Sequence, residues 1–394
     1  MTQVEENAQL VETKISNQLI EVLWKDGQSR HFHNIWLRDN CRCEHCGDPA
    51  IGRRVLRLTD LDLHPGISSV KIFDNQLKII WSDDHHSEFT SDWLRANAYD
   101  DKTRRSKAFN PSLWNAAFRA QPPIFDHGDI AGSEQGLFDV LQTVRDFGLC
   151  FIRNSTPTAG TLETFALRIG YPQESNFGRV QDLVVDRKKS SIANDVQGLK
   201  PHTDEPYRAS PSGILLFHCI ETDITGAGSS IFLDGFEIAE QLRTEDPEGF
   251  AVLSQNTQSF RRFFNNDVDL IAEFPIISVD EFDQVVGIRL NDRVAAPLSI
   301  ASDKVEVYYR ALKRLLQLSE DNQRALKLTL KPGDIAIFDN HRILHGRTDL
   351  TIKGSRWLQW IQIERGDFHS SLRILADRLG IKRDSKPLLK GAYG

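Results

Sequence analysis

The stretch PHTDEPY, residues 201–207, sets an imidazole and a carboxylate one residue apart, at His202 and Asp204. In an extended segment residues i and i+2 point the same way, so the two side chains can face one ion together. A third ligand would complete a two-histidine, one-carboxylate set, which leaves iron positions open for a cosubstrate and oxygen. Nothing close to residue 202 supplies it. Downstream, KPGDIAIFDNHRILHGRT (331–348) offers His345, which follows a strand pattern and precedes a glycine. His341, His218 and His369 compete with it, although His218 lies inside an apolar strand pattern and reads as a core histidine. Beyond His345, Arg356 opens the run WLQWIQI. An arginine entering an apolar strand is costly unless it meets a carboxylate. Its planar fork suits the distal carboxylate of 2-oxoglutarate through two parallel hydrogen bonds. Pairing with an Asp or Glu of the protein is the equal alternative.

At 394 residues the chain exceeds one ordinary hydrophobic core, so two domains are expected. A net charge of -7 argues against a general binder of nucleic acid or anionic membrane. No apolar run is long enough to span a bilayer, and the polar start MTQVEENAQLVETK lacks the features of a signal peptide. Three of the five cysteines crowd into CRCEHC, which fits no disulfide framework and points to a reducing cytoplasm.

Residues 1–100 read as a small strand-rich N-terminal domain. Its strands are expected at EVLW, RRVLRL, SVKIF and LKIIW, with a hairpin turn at DNQ between the last two. A helix should begin at SDWLRANAYD with Ser91 or Asp92 as its cap. Residues 101–123 read as a linker ending at Pro122 and Pro123, and 124–394 as the larger domain. There, QGLFDVLQTVRDFG, TLETFALRIG and VEVYYRALKRLLQLSE carry helical periodicity, the first stopped by Gly148 and the last striped by Tyr308, Leu312 and Leu315. Strands are expected at LCFIR, GILLFHCI, SSIFLDG, VVGIRL, DIAIFD and WLQWIQIE. This order lacks the strand–helix alternation of a doubly wound sheet and favours a mainly β, largely antiparallel barrel or sandwich with flanking helices. No internal repeat is evident by this reading.

The thiols of Cys41, Cys43 and Cys46 are close enough to converge on one ion, and zinc commonly completes such a set with a histidine. His45, His85 and His86 are the candidates, and free thiols are the alternative. Four protein ligands would close the site, making it structural. Cys150 and Cys219 sit in apolar strand patterns as core residues.

With these motifs in view, the chain resembles, over nearly its whole length, the 2-oxoglutarate-dependent oxygenases of the gamma-butyrobetaine and trimethyllysine hydroxylase group, relatives of the taurine dioxygenases. WLRDNCRCEHC and WSDDHHSEF resemble that group's zinc-binding N-terminal region, and the resemblance assigns zinc to Cys41, Cys43, Cys46 and His85. LKPHTDEPY, HCIETDITGAGSSIFLDGF and KPGDIAIFDNHRILHGR resemble its catalytic region. The resemblance implies a double-stranded β-helix, or jelly roll, with iron(II) on His202, Asp204 and His345. It implies 2-oxoglutarate on Arg356, helped by a hydroxyl from Ser229 or Ser230, and a homodimer as the family expectation. The implied reaction uses O2 and 2-oxoglutarate, hydroxylates an aliphatic C–H and releases succinate and CO2.

Family members that accept trimethylammonium compounds hold them in an aromatic cage. Here Phe177 stands for a cage tyrosine, Gln181 for a tryptophan and Glu205 for another aromatic, with Tyr207 able to compensate if its ring turns inward. Glu205 and Asp195 are candidates for attracting a cation, and Asn291 and Arg293 for receiving an anionic end. Phe260, Phe263 and Phe264 are candidate apolar walls, while Arg179 and Arg208 read as solvated surface. The expected substrate is a small amine or quaternary ammonium compound bearing a carboxylate or phosphonate. Alternatives are a taurine-dioxygenase-like oxygenase of another small organic acid and, more distantly, a non-catalytic zinc-containing interaction protein.

Overall fold

The computed structural model describes residues 8–48, 50–108, 110–184, 198–223, 228–264, 267–349 and 356–381. The chain divides into two compact units, Met1–Ala108 and Phe109–Gly394. No helix among the described residues is long and apolar enough to cross a membrane.

The smaller unit contains two three-stranded antiparallel meanders, Leu10–Ser16, Leu19–Trp24, Ser29–His33 and Ile67–Phe73, Gln76–Trp81, His86–Thr90. Strand alternation turns Ile20, Val22 and Trp24 from one meander, and Leu77, Ile79 and Trp81 from the other, into a shared core. A two-residue turn at Asp74 and Asn75 joins the DNQ hairpin, with φ of 52° and 55°. These are residue types that tolerate that region.

The meanders reveal an internal repeat, contrary to the expectation that none exists. Trp24, Phe32, Trp36, Arg38 and Asn40 recur 57 residues later as Trp81, Phe89, Trp93, Arg95 and Asn97. Their contacts recur too. Asn40 Nδ2 and Asn97 Nδ2 each donate to the carbonyl four residues back, at 2.8 Å. Arg38 pairs with Asp83 at 3.3 Å while Arg95 pairs with Asp26 at 2.8 Å, so each copy supplies the arginine that meets the other's aspartate. Two further expectations change. Among the described residues RRVLRL pairs as a strand only at Arg53–Arg54, and Val55 and Leu58 are exposed. Thr90, rather than Ser91 or Asp92, caps helix Ser91–Asn97 by accepting from Trp93 N.

In the larger unit, a six-stranded sheet runs in the order Gln181–Val184, Trp357–Ile363, Ile214–Glu221, Ile335–Asp339, Leu149–Arg153, Ile124–Asp126. All of its pairs are antiparallel except the last. A four-stranded antiparallel sheet faces it, ordered Leu199–His202, Ile343–Arg347, Ser230–Asp234, Leu326–Leu328. This is the expected jelly roll. Alternation divides the large sheet's side chains between two cores. Leu149, Phe151, Leu215, Ala336 and Phe338 meet Phe232 and Ile343 of the smaller sheet. Cys150, Ile152, Leu216, Ile335 and Ile337 instead pack under helices Glu134–Phe147, Thr161–Ala166 and Arg365–Arg378. The first of these helices starts on Ser133, which accepts from Gly136 N, and stops at left-handed Gly148. Residues 101–123 are not a linker. Asp101–Ser106 is helical, and Trp114 and Phe118 are buried in the core between the sheets, so the larger unit begins well before Ile124.

One buried ion pair joins several of these parts. Arg342 Nε and Nη2 meet Asp234 Oδ1 and Oδ2 at 2.9 and 2.7 Å, both residues almost fully inaccessible. The same guanidinium donates to Asp146 O and Ser112 O, and Asp234 accepts from Phe236 N and Trp114 N. Replacing Arg342 with leucine strands the buried carboxylate and is expected to cost about 3–5 kcal/mol. Urea unfolding followed by circular dichroism measures this, and a loss under about 1 kcal/mol contradicts the central role given to the pair.

Candidate active site

His202 ends its strand and stands directly opposite His345 in the antiparallel pairing of Leu199–His202 with Ile343–Arg347. Their rings lie 4.6 Å apart, centroid to centroid. The strands approach this closely because residue 346 is glycine. A Cβ there would lie 2.4 Å from Leu199 O and 3.1 Å from Pro201 N. Asp204, just past the strand, turns back between the rings. Its Oδ1 is 3.2 Å from His202 Nε2 and its Oδ2 3.2 Å from His345 Nε2. The three ligand atoms fall within 4.8 Å of one another, a donor set that fits a divalent metal with positions left over. His341 and His369 are buried elsewhere, and His218 bonds Ser155 Oγ in the core.

Protonation and backbone contacts favour this set. His202 Nδ1 lies 2.8 Å from Lys200 O, so a proton on Nδ1 is held there and the Nε2 lone pair faces Asp204. Burial lowers the pKa of His202 and keeps it neutral. Burial alone would raise that of Asp204, but facing His345 and His202 outweighs it and holds the carboxyl well below the usual range. Asn340 fixes the Asp204 backbone. Its Oδ1 accepts from Asp204 N at 2.8 Å, and its Nδ2 donates to Asp204 O at 3.0 Å and Ser212 O at 2.9 Å. On the other side Thr203 exchanges bonds with Leu290 and accepts from Asn291 Nδ2.

The triad opens on a cavity of about 740 Å³. Arg356 lines it, only 6% exposed, and among the described residues it meets no carboxylate. The protein-paired alternative for this arginine finds no partner among the described residues. Ser230 lines the cavity, whereas Ser229 Oγ turns to Thr329 Oγ1 at 2.7 Å. Phe177, Gln181, Glu205, Tyr207, Asn291 and Arg293 all line it, and Asp195 lies outside the described residues. Phe263 and Phe264 contribute walls, but Phe260 is buried in the helical core instead.

Glu205 departs from the role of a free anion. It is 4% exposed, its Oε1 is 2.8 Å from Arg208 Nε and its Oε2 accepts from Ser212 Oγ at 2.9 Å. Arg208 is accordingly half-buried rather than solvated surface, while Arg179 pairs with Glu163 in solvent. Glu205 also adopts φ of 53°, a strained backbone for a side chain of this kind, directly after the carboxylate that faces His202 and His345. The sequence reading missed Arg262 as a lining residue. Alternation in SFRRFF carries the signal, since Phe260, Arg262 and Phe264 share one face of strand Thr257–Phe264.

In the smaller unit, His85 Nε2 lies 3.2, 3.7 and 3.5 Å from the sulfurs of Cys41, Cys43 and Cys46. All four ligand atoms lie within 4.8 Å of one another, and His45 and His86 are not part of the group. Burial and the charge of Cys41 push the Cys46 thiol up to about 12, so a set of thiolates here calls for a cation. Arg38 Nη1 lies 3.6 Å from Cys46 Sγ, and Asp83 accepts from His85 N, so the repeat's own ion pair also braces the cluster.

Comparison with known proteins agrees with this geometry. The model of the "Taurine catabolism dioxygenase TauD, TfdA family" matches residues 115–361, and that of "Gamma-butyrobetaine hydroxylase-like, N-terminal" matches residues 11–99. A gamma-butyrobetaine dioxygenase from Pseudomonas sp. (strain AK-1) is 32% identical over 359 residues, covering 90% of this chain and 93% of the relative. The Homo sapiens gamma-butyrobetaine dioxygenase is 28% identical over 370 residues, covering 92% and 95%. The mitochondrial trimethyllysine dioxygenase of Gallus gallus is 30% identical over 365 residues, covering 90% and 86%. Freshly purified protein is expected to carry about one tightly held zinc per chain, and Cys46→Ala to lose it with a lowered melting temperature. Elemental analysis of both proteins measures this, and equal zinc in the two contradicts the ligand set.

Proposed function

Because this chain belongs to the TauD, TfdA family of dioxygenases, we propose that it hydroxylates a small amine or quaternary ammonium compound bearing a carboxylate or phosphonate. Its dependence is on iron(II), 2-oxoglutarate and O2. The observation that carries the reading is that Arg356, a buried guanidinium that meets no carboxylate among the described residues, shares one cavity with the His202, Asp204 and His345 set.

In this reading iron(II) held by those three side chains, together with 2-oxoglutarate, supplies the oxidising chemistry that turns an aliphatic C–H into C–OH and yields succinate and CO2. The protein's own part is binding, orientation and exclusion. Arg356 holds the distal carboxylate of 2-oxoglutarate through its fork, with the Ser230 hydroxyl beside it. Phe217 and Phe338 pack on the His345 ring at 5.6 and 4.9 Å, fixing its plane and keeping water from that side. Asn340 and Thr203 hold the carboxylate ligand's backbone, and no general base is required of the chain. The cysteine–histidine cluster serves as a structural zinc site. A homodimer in a reducing cytoplasm belongs to the same reading. Gln181 and Glu205, in place of cage aromatics, favour a second reading in which another small organic acid is the substrate.

Two variants test the proposal. Asp204→Ala is expected to reduce substrate-linked succinate formation to background while leaving the circular dichroism spectrum unchanged, and full turnover in that protein refutes the iron assignment. Arg356→Leu is expected to raise the KM for 2-oxoglutarate about a hundredfold, within the roughly 2–5 kcal/mol attached to losing one partner of a buried charge pair. An unchanged KM there removes Arg356 from cosubstrate binding.

A further inference from the structure

Among the described residues, the acidic groups that line the cavity are committed to the protein. Asp204 lies between two histidines, and Glu205 is held by Arg208 and Ser212. Asp182 accepts from Trp357 Nε1 at 2.6 Å and Gln359 Nε2 at 3.0 Å. The basic groups divide differently. Arg356 serves 2-oxoglutarate in the reading above, but Arg262 and Arg293 also line the cavity, and among the described residues neither forms an ion pair. Arg262 lies over the Phe264 ring, its Cζ 5.4 Å from the centroid. Arg293 belongs to the short turn Asp292–Val294, its Nε 3.4 Å from Asn291 Oδ1. The two elements are joined side by side, through a bridge from Phe260 to Ala295 and a bond from Ala296 N to Ser259 O at 2.8 Å. Arg293 feels Asp204 and Asp292 as well as the repulsion of Arg262, and an anion bound between the two guanidinia removes that repulsion.

We propose that Arg262 and Arg293, with Asn291, form the subsite for the acid end of the substrate, so that recognition rests on an oxyanion held by two guanidinia. This rests on the hydroxylase reading and sharpens it. With no uncommitted carboxylate among the described lining residues, the groups they offer an ammonium end are ring faces. Phe177 and Phe264 stand edge to face at 5.0 Å, and Tyr207 and Phe264 at 6.0 Å. The acid end is therefore the stronger handle, and a neutral counterpart of the same length loses most of its affinity.

Calorimetric titration tests this with three probes: gamma-butyrobetaine, 3-aminopropylphosphonate and the neutral-ended 4-aminobutanamide. Each is titrated into the full chain both alone and loaded with Mn(II) and 2-oxoglutarate. Both acids are expected to bind at least about tenfold more tightly than the amide, and Arg262→Gln or Arg293→Gln to shrink that ratio by about tenfold. Arg262→Lys, which keeps the charge, should retain much of the preference, and it carries the test if the glutamine variant fails to fold. An amide that binds as well as the acids, a ratio unchanged in both glutamine variants, or no binding of either acid overturns the subsite. Binding of 2-oxoglutarate to the Mn(II)-loaded protein is read before any probe is added. Its absence defeats the hydroxylase reading separately, while titration of the unloaded protein still reports on the arginines.

Discussion

The register of the smaller sheet depends on the buried contact between Arg342 and Asp234. It pins the end of strand Ser230–Asp234 to the beginning of Ile343–Arg347, where Asp234 stands opposite Ile343 and Phe232 opposite His345. Slipping one residue in a strand reverses every side chain, so a register error here would turn His345 from the cavity into the opposite layer. An apolar pair of similar volume could fill the same space, but it would not choose among registers. Directional bonds from one guanidinium to a carboxylate and two carbonyls do. The charge pair thus contributes uniqueness more than raw stability.

With the register fixed, few further constraints are needed to assemble the metal-facing set. Glycine at 346 lets the two strands close until the histidines face each other, and Asn340 replaces regular backbone pairing where the chain leaves its strand to present Asp204. The strained Glu205 follows at once, tied down by Arg208 and Ser212. Local backbone cost is concentrated in the few residues between the strand and the turn. The surrounding network, not the local sequence, makes that conformation tolerable.

Much of this was legible because short-range rules govern it. The helix stop at Gly148 and the alternation in the central strands survive in the folded chain, while His202 and Asp204 meet as the spacing suggests although the strand ends at His202. What escaped depends on partners distant in sequence or in spacing. Trp114 and Phe118 looked like members of a polar linker until strands from far along the chain buried them. RRVLRL has strand composition but, among the described residues, pairs as a strand only at Arg53–Arg54. Glu205 was read as a free charge because nothing in EPY announces that Ser212 and Arg208 will enclose it. The repeat in the smaller unit rests on a handful of identities at one spacing, below what a reader notices without seeing their contacts superpose.

That repeat also makes the cysteine–histidine cluster an asymmetric fastener. His85 occupies the position that Gln28 holds in the first copy, and Cys41 the position that Ala98 holds after the second. Near the copy without metal ligands, Arg30 Nε instead meets Asp100 Oδ2 at 2.7 Å and Thr103 Oγ1 at 3.3 Å. Two nearly equivalent corners of one small unit are thus latched by different chemistries. One answers to thiol oxidation, and the other to ionic strength. Chelation can reach only the cysteine corner, whereas added salt acts chiefly on the Arg30–Asp100 pair.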